Sequence, residues 1–185
     1  MPSVPDSSTN LRKPPGLYHF HAEKPGAGAV QLADQLKRLI GSHGIAVSPQ
    51  ALPGPYPEID TSSVLAAAVA LSRLPDDAVV LIDAETLPGL AGVLVAESRR
   101  LAMVALVPDQ VWWNGDGQGV EQAVRRNIAL VALTQMRHVV VRDASRFADI
   151  TSLGIDGSAS GFLVALEPGG LDASPAFARL TGCVT

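Results

Sequence analysis

The sequence contains a single cysteine, Cys183, in 185 residues. One thiol cannot form an intramolecular disulfide, and without neighbouring cysteines it cannot build a zinc site. The small secreted folds that depend on several disulfides are therefore excluded. We expect the protein to work in a reducing compartment, the cytoplasm.

The sequence also lacks a strong excess of charge and a long apolar run. Its net charge of −4 does not favour nucleic acid or an anionic membrane surface as a partner. Charged residues or prolines interrupt every apolar run well before the length of about 18 residues that a membrane-spanning helix requires. Residues 1–15 are polar and rich in proline, so we expect a flexible leader rather than a secretory signal.

Apolar residues make up 47% of the chain, enough for one sizeable core, and we assign a single domain to residues 16–185. Short aliphatic runs alternate with segments of helical periodicity. The predicted strands are residues 17–20, 45–47, 78–82, 101–107, 138–141 and 162–166, and the predicted helices are residues 30–43, 64–73, 87–98, 120–136 and 143–153. This alternation predicts an α/β fold, a doubly wound and mostly parallel Rossmann-like sheet of about six strands with helices on both faces.

A glycine-rich turn follows the first predicted strand. Gly26, Ala27 and Gly28 lie where the chain must turn from that strand into the first helix. Free amide groups at the start of the helix would suit an anion such as a phosphate, although these glycines are equally typical of a tight turn alone. The third glycine of a dinucleotide fingerprint is absent, and no acidic residue ends the second predicted strand, so we expect no bound NAD.

Acidic residues follow two of the predicted strands. Asp83 and Glu85 come directly after the third strand, where they could hydrogen-bond a sugar hydroxyl or act as a base. The alternative is that Asp83 caps the following helix and Glu85 lies near its dipole. Asp109 follows the fourth strand and could orient a hydroxyl, or it could be a solvated turn residue.

The loop after the fourth strand carries both tryptophans of the chain. Trp112 and Trp113, beside a glycine-rich stretch, could stack on a sugar or contact a protein partner, or one ring could close the edge of the core. His19 and His21 fall on the same side of the first strand. A metal would need further ligands at compatible spacing, which the sequence does not contain, so we expect no metal site.

The proline-rich residues 48–60 predict an irregular loop over the surface. Either Asp60 or one of the hydroxyl residues 61–63 would then cap the second helix, because both residue types favour the capping position.

Several short segments occur in a characteristic order along the chain. They are Pro25-Gly26-Ala27-Gly28, then residues 42–47 (SHGIAV), 77–83 (DAVVLID), 103–107 (MVALV), 139–150 (VVVRDASRFADI) and 167–172 (EPGGLD). In this order they resemble the N-terminal, acceptor-side half of GT-B glycosyltransferases, particularly the retaining family-4 type. The resemblance covers about residues 16–172, and the order of the segments carries it.

The resemblance implies sugar transfer, with two departures. The family's histidine after the fourth strand is absent, because Pro108 and Asp109 follow Val107, and the family's paired-glutamate donor-binding half is missing from this sequence. The resemblance places Arg146 near a diphosphate, with an ordinary surface arginine as the alternative, and Asp109 near the position of the histidine. It implies no cofactor in this chain itself, a sugar-nucleotide donor on a separate domain or subunit, and a sugar-type acceptor. One alternative is an inactive relative that serves as a binding or scaffold subunit, with a protein partner or as a homo-oligomer. Another is a Rossmann-like nucleotide binder of unrelated function, since this fold hosts many.

Overall fold

The computed structural model describes residues 16–54, 56, 60–115, 119–157 and 162–166. The expected leader, residues 1–15, lies outside the described residues. The same is true of part of the loop 48–60, of residues 116–118, and of residues 167–185 with Cys183 and the last segment of the resemblance.

Six parallel strands form one sheet. The strands are β1 (Leu17–Ala22), β2 (Val47–Leu52), β3 (Val79–Asp83), β4 (Ala102–Val107), β5 (His138–Val141) and β6 (Leu163–Ala165). Their order across the sheet is β2-β1-β3-β4-β5-β6, and every neighbouring pair is parallel. The predicted fold class, an α/β fold with a Rossmann-like parallel sheet, is confirmed.

Helices cover both faces of this sheet. They are α1 (Ala27–Ser42), α2 (Thr61–Ser72), α3 (Leu87–Glu97), α4 (Val120–Leu133) and α5 (Phe147–Thr151). Leu32, Leu36 and Ile40 of α1 pack on one face, in a cluster with residues such as Leu81 and Val104. The buried residues of α2 to α5 pack on the opposite face. The central strands β3 and β4 are rich in aliphatic residues, as expected for strands buried on both faces.

The second strand was wrongly predicted. The pattern placed it at residues 45–47 and assigned the following prolines to a loop, whereas β2 continues to Leu52 and contains Pro49. Proline has no N–H to donate to a neighbouring strand and is confined to edge strands. Because β2 pairs only with β1 and lies at the edge of the sheet, Pro49 fits there.

Two helices begin earlier than their periodicity predicted. Helix α1 starts at Ala27, within the glycine-rich turn, and Gly26 is its N-cap. Helix α2 starts at Thr61, and the Asp60 side chain accepts a hydrogen bond of 2.7 Å from the Ser63 N–H. Of the two predicted caps, Asp60 is therefore the one observed. None of the described helices combines the length and the apolar character needed to cross a membrane.

Candidate functional site

The strand order creates a crevice at one edge of the sheet. From β1 the chain passes to β2 on one side and later to β3 on the other, and ligands of open α/β folds bind at such a switch point, above the carboxyl ends of the strands. A cleft of about 320 Å³ lies there. Its lining residues come from the segments that follow β1, β2, β3 and β4: Lys24, Gly26, Tyr56, Ala84, Glu85, Pro108, Gln110, Val111 and Trp112.

Glu85 joins two walls of this cleft. Its two carboxylate oxygens lie 3.0 and 3.2 Å from the Gly26 nitrogen and accept its N–H. Helix α1 has no acidic residue in its own first turn, so Glu85 supplies the negative charge that the helix dipole favours. A β-carbon at position 26 would collide with the same carboxylate, so a larger residue there would displace Glu85 from the start of α1.

The other two residues of the predicted turn lie in the first turn of α1. Ala27 and Gly28 are both exposed. A β-carbon at Gly28 would lie 3.5 Å from the Pro108 Cβ, which is ordinary van der Waals contact. Gly28 is therefore not required by packing, in contrast to Gly26.

Asp83 lies close to the cleft in sequence but is not part of its wall. It is buried, and its Oδ1 lies 2.8 Å from the His19 Nε2. Its side chain caps no helix, so the capping alternative is wrong for Asp83. Burial also keeps it from a ligand in the cleft. The pair lies on the α1 side of the sheet, because Asp83 and His19 alternate with the opposite-facing Ile82 and Phe20.

The two histidines of β1 lie on one side, as predicted. The ring centroids of His19 and His21 are 5.2 Å apart, and the His21 Nδ1 lies 2.8 Å from the Ala22 carbonyl oxygen. Within the described part of the chain, no three His, Cys, Asp or Glu residues are arranged to hold a metal ion.

Asp109 and Arg146 meet outside the cleft. Asp109 forms ion pairs with Arg142 and with Arg146, whose Nε lies 3.5 Å from the Asp109 Oδ1. Arg146 also lies 3.4 Å from a carboxylate oxygen of Asp149. Neither Asp109 nor Arg146 lines the cleft. Arg142 and Arg146 thus hold the Asp109 carboxylate outside the wall of the cleft.

The two tryptophans have different environments. Trp112 lines the cleft, and its indole N–H donates a 2.8 Å hydrogen bond to the Ala84 carbonyl oxygen. Trp113 is fully buried in the core and packs edge-on against Trp112 with ring centroids 5.3 Å apart. Trp112 is therefore available to a ligand, and Trp113 packs beneath Trp112 in the core.

Three polar lining residues were not identified from the sequence: Lys24, Tyr56 and Gln110. Lys24 comes two residues after β1 and Gln110 three residues after β4, so their position near strand ends was a usable signal. Tyr56 lies in the proline-rich loop, where no periodicity marks it. Burial, and secondarily the charge of Asp60, raises the pKa of the Tyr56 phenol above its ordinary value of 10.0, so this phenol is protonated at neutral pH.

Comparison with known proteins adds no assignment to this geometry. No protein-family model matches the chain, and no curated protein matches it.

Proposed function

We propose that the switch-point cleft binds a hydroxylated, sugar-type acceptor, and that the chain is the acceptor-side part of a glycosyl transfer whose donor is bound by a separate domain or subunit. The observation that carries this proposal is the composition of the cleft. Two aromatic side chains, Tyr56 and Trp112, line the same 320 Å³ space as a carboxylate, an ammonium and an amide.

This combination suits a sugar for a chemical reason. A pyranose has apolar C–H faces that pack on aromatic rings, and hydroxyl groups that both donate and accept hydrogen bonds. Glu85 offers acceptors, Lys24 offers donors, and Gln110 offers both. A wholly apolar ligand would cover Lys24 and Gln110 without offering them a hydrogen-bond partner, which disfavours it.

The charge of the cleft favours a neutral ligand over a phosphate. The Glu85 carboxylate occupies the Gly26 N–H, the group that a phosphate at the start of α1 would contact. A phosphate placed there would meet a fixed negative charge. An uncharged hydroxylated acceptor therefore suits this site better than the phosphate expected from the glycine-rich turn.

The resemblance to the acceptor-side half of GT-B glycosyltransferases supports the step from binding to transfer. If the chain were an inactive binding or scaffold subunit, we would expect both tryptophans to lie in a protein-binding surface. Trp113 is buried and Trp112 faces a cleft of ligand size, which favours a small ligand at this site. Both the enzymatic role and the binding-subunit alternative also allow a protein partner at another surface of the chain.

The binding proposal is tested by calorimetry with neutral mono- and disaccharides and, separately, with inorganic phosphate. We expect a sugar to bind with a Kd on the order of 1 mM, about −4 kcal/mol. Glu85→Gln should weaken this at least about tenfold, because a hydrogen bond to a charged group contributes about 1.5–3 kcal/mol. Glu121→Gln on exposed α4 is the matched control and should have no effect. Phosphate binding that strengthens in Glu85→Gln, with no sugar binding, would contradict the proposal.

The transfer proposal needs a second assay. The chain is mixed with candidate donor-binding proteins and a sugar nucleotide, and transfer to the bound acceptor is followed by mass spectrometry. Sugar binding without transfer in any such mixture would leave a binding subunit and refute the enzymatic role.

A further inference from the structure

The helix layer formed by α2, α3 and α4 has an outer surface with almost no charge. The exposed residues of α2 and α3 include no charged side chain, whereas α4 presents Glu121 together with the half-exposed Arg125 and Arg126. Several are large aliphatic side chains: Leu65, Val69, Val95, Val120, Val124 and Val131. A helix that is apolar on all sides is normally buried, so we expect another molecule to bind over this surface.

The patch has the layout of an interface. Helix α3 contacts both α2 and α4 and lies between them. Its outward residues are Gly92, Val95 and Ala96, which leave a shallow centre between the larger side chains of the two flanking helices. Polar groups lie at the border, such as the Glu121–Arg125 ion pair on α4. An apolar centre with a polar rim is typical of protein interfaces.

We propose that this α2–α3–α4 surface is a self-association interface, with a second copy of the same chain as its occupant. The charge distribution favours this partner. An uncharged surface is complementary to another uncharged surface, and two copies related by a two-fold axis through α3 bring no like charges together at the centre. A membrane is disfavoured, since the patch lacks the basic residues of interfacial helices and the chain carries a net charge of −4.

The area is sufficient for a dimer. Three helices of 12, 11 and 14 residues, at about 1.5 Å per residue and about 9 Å apart, present roughly 500 Å² on each copy. Two copies would bury about 1,000 Å², the lower bound for a specific interface. We therefore expect a dimer with a Kd between about 1 and 100 µM. This inference does not depend on the proposed sugar site, which lies at the strand ends.

Sedimentation velocity of the full chain tests whether the α2–α3–α4 surface forms the dimer. The variants are Val95→Glu and Val95→Lys. Both should raise the dimer Kd at least tenfold, because either charge would be buried opposite its own copy. An effect of net charge alone would act in opposite directions in the two variants. Val30→Glu on α1 is the matched control, since Val30 is 41% exposed and Val95 48%, and it should leave the dimer unchanged. Circular dichroism confirms that each variant is folded.

Three results would overturn the proposal. The first is a wild-type chain that stays monomeric at about 100 µM. The second is equal weakening by Val30→Glu and Val95→Glu. The third is a wild-type chain that floats with phosphatidylcholine vesicles as a monomer and loses this binding in Val95→Glu, since the occupant would then be a membrane.

Discussion

The two faces of the sheet are built in opposite ways. On one face, α1 presents Asp34 and Arg38 to solvent, while beneath it the core contains the polar pair of His19 and Asp83. On the other face, α2 and α3 present no exposed charge, and the core beneath them is aliphatic and aromatic. The α1 face is thus charged outside and partly polar inside, whereas the other face is mainly apolar, with a few polar groups such as Ser63 and the Glu121–Arg125 ion pair.

The two faces therefore contribute to the structure in different ways. A buried polar pair costs desolvation and is specific about its partner, so His19 and Asp83 link β1 to β3 on the α1 face. The opposite face contributes apolar burial, both within the chain and, by our inference, between copies. Helices α1 and α2, which lie on opposite faces of the sheet, also differ in which side chain binds their first N–H groups. At α2 it is Asp60, three residues before Ser63, whereas at α1 it is Glu85, 59 residues from Gly26 in sequence.

The largest effect is expected from breaking the buried pair. Asp83→Leu leaves the buried His19 imidazole without its hydrogen-bond partner, and it should lower the free energy of unfolding by about 1–3 kcal/mol. Urea unfolding at neutral pH measures this. The double variant His19→Leu/Asp83→Leu removes both polar groups and should recover most of the loss, because an apolar pair of similar volume is often neutral. A double variant as unstable as the single one would show that the α1 face does not depend on this pairing.

A smaller effect is expected at the glycine-rich turn. Gly26→Ala forces the Glu85 carboxylate away from the start of α1 and should lower the free energy of unfolding by about 1 kcal/mol. Gly28→Ala should raise it by about 0.5–1 kcal/mol, since alanine favours the helix and nothing obstructs its β-carbon. Thermal unfolding of the two variants gives the comparison. Equal effects would show that the contact between Glu85 and Gly26 does not hold the turn.

The smallest effect is expected from the cap of α2. The Ser63 N–H, and secondarily the Ser62 hydroxyl, lower the pKa of Asp60 below its ordinary value of 3.8. Its carboxylate therefore contributes stability that is present above the unfolded pKa and is lost as the pH falls through the folded pKa. Asp60→Asn retains a good capping residue without the titration, so the acid dependence of thermal unfolding should become slightly weaker.

Asp143 provides a second, independent test of the same effect. Hydrogen bonds from the Ser145 hydroxyl, and to a lesser degree from its N–H, lower the pKa of Asp143 as well. Asp143→Asn should therefore reduce the acid dependence independently, and the two effects should add because the caps belong to separate helices. If the thermal stability of Asp60→Asn fell with acid pH as steeply as that of the wild-type chain, the proposed role of Asp60 would be contradicted.

Periodicity was sufficient to predict the sheet, because buried parallel strands are continuous aliphatic runs such as Val79–Asp83 and Ala102–Val107. It failed at β2, where edge position rather than side-chain pattern decides whether Pro49 is tolerated. The fold alone then explains why Gly26, Glu85 and Trp112 meet, since each follows the carboxyl end of a parallel strand.

The roles of individual acidic residues could not be predicted in the same way. Asp83 and Glu85 are two residues apart, yet one pairs with His19 inside the sheet and the other holds Gly26 at the cleft. The direction of each side chain depends on the exact residue at which β3 ends, and a pattern of residue types does not resolve it. Asp109 was likewise expected near a ligand, but Arg142 and Arg146 hold it from β5 and the helical turn that follows.

The central claim, that the switch-point cleft takes a neutral sugar-type ligand, is tested most directly by the indole N–H signals in a proton–nitrogen NMR spectrum. The chain has two tryptophans, and Trp112 lines the cleft while Trp113 is buried. Addition of a neutral disaccharide should shift the Trp112 signal in a saturable manner and leave the Trp113 signal nearly unmoved. A Trp112 signal that does not respond to neutral sugars but shifts with inorganic phosphate would contradict the account.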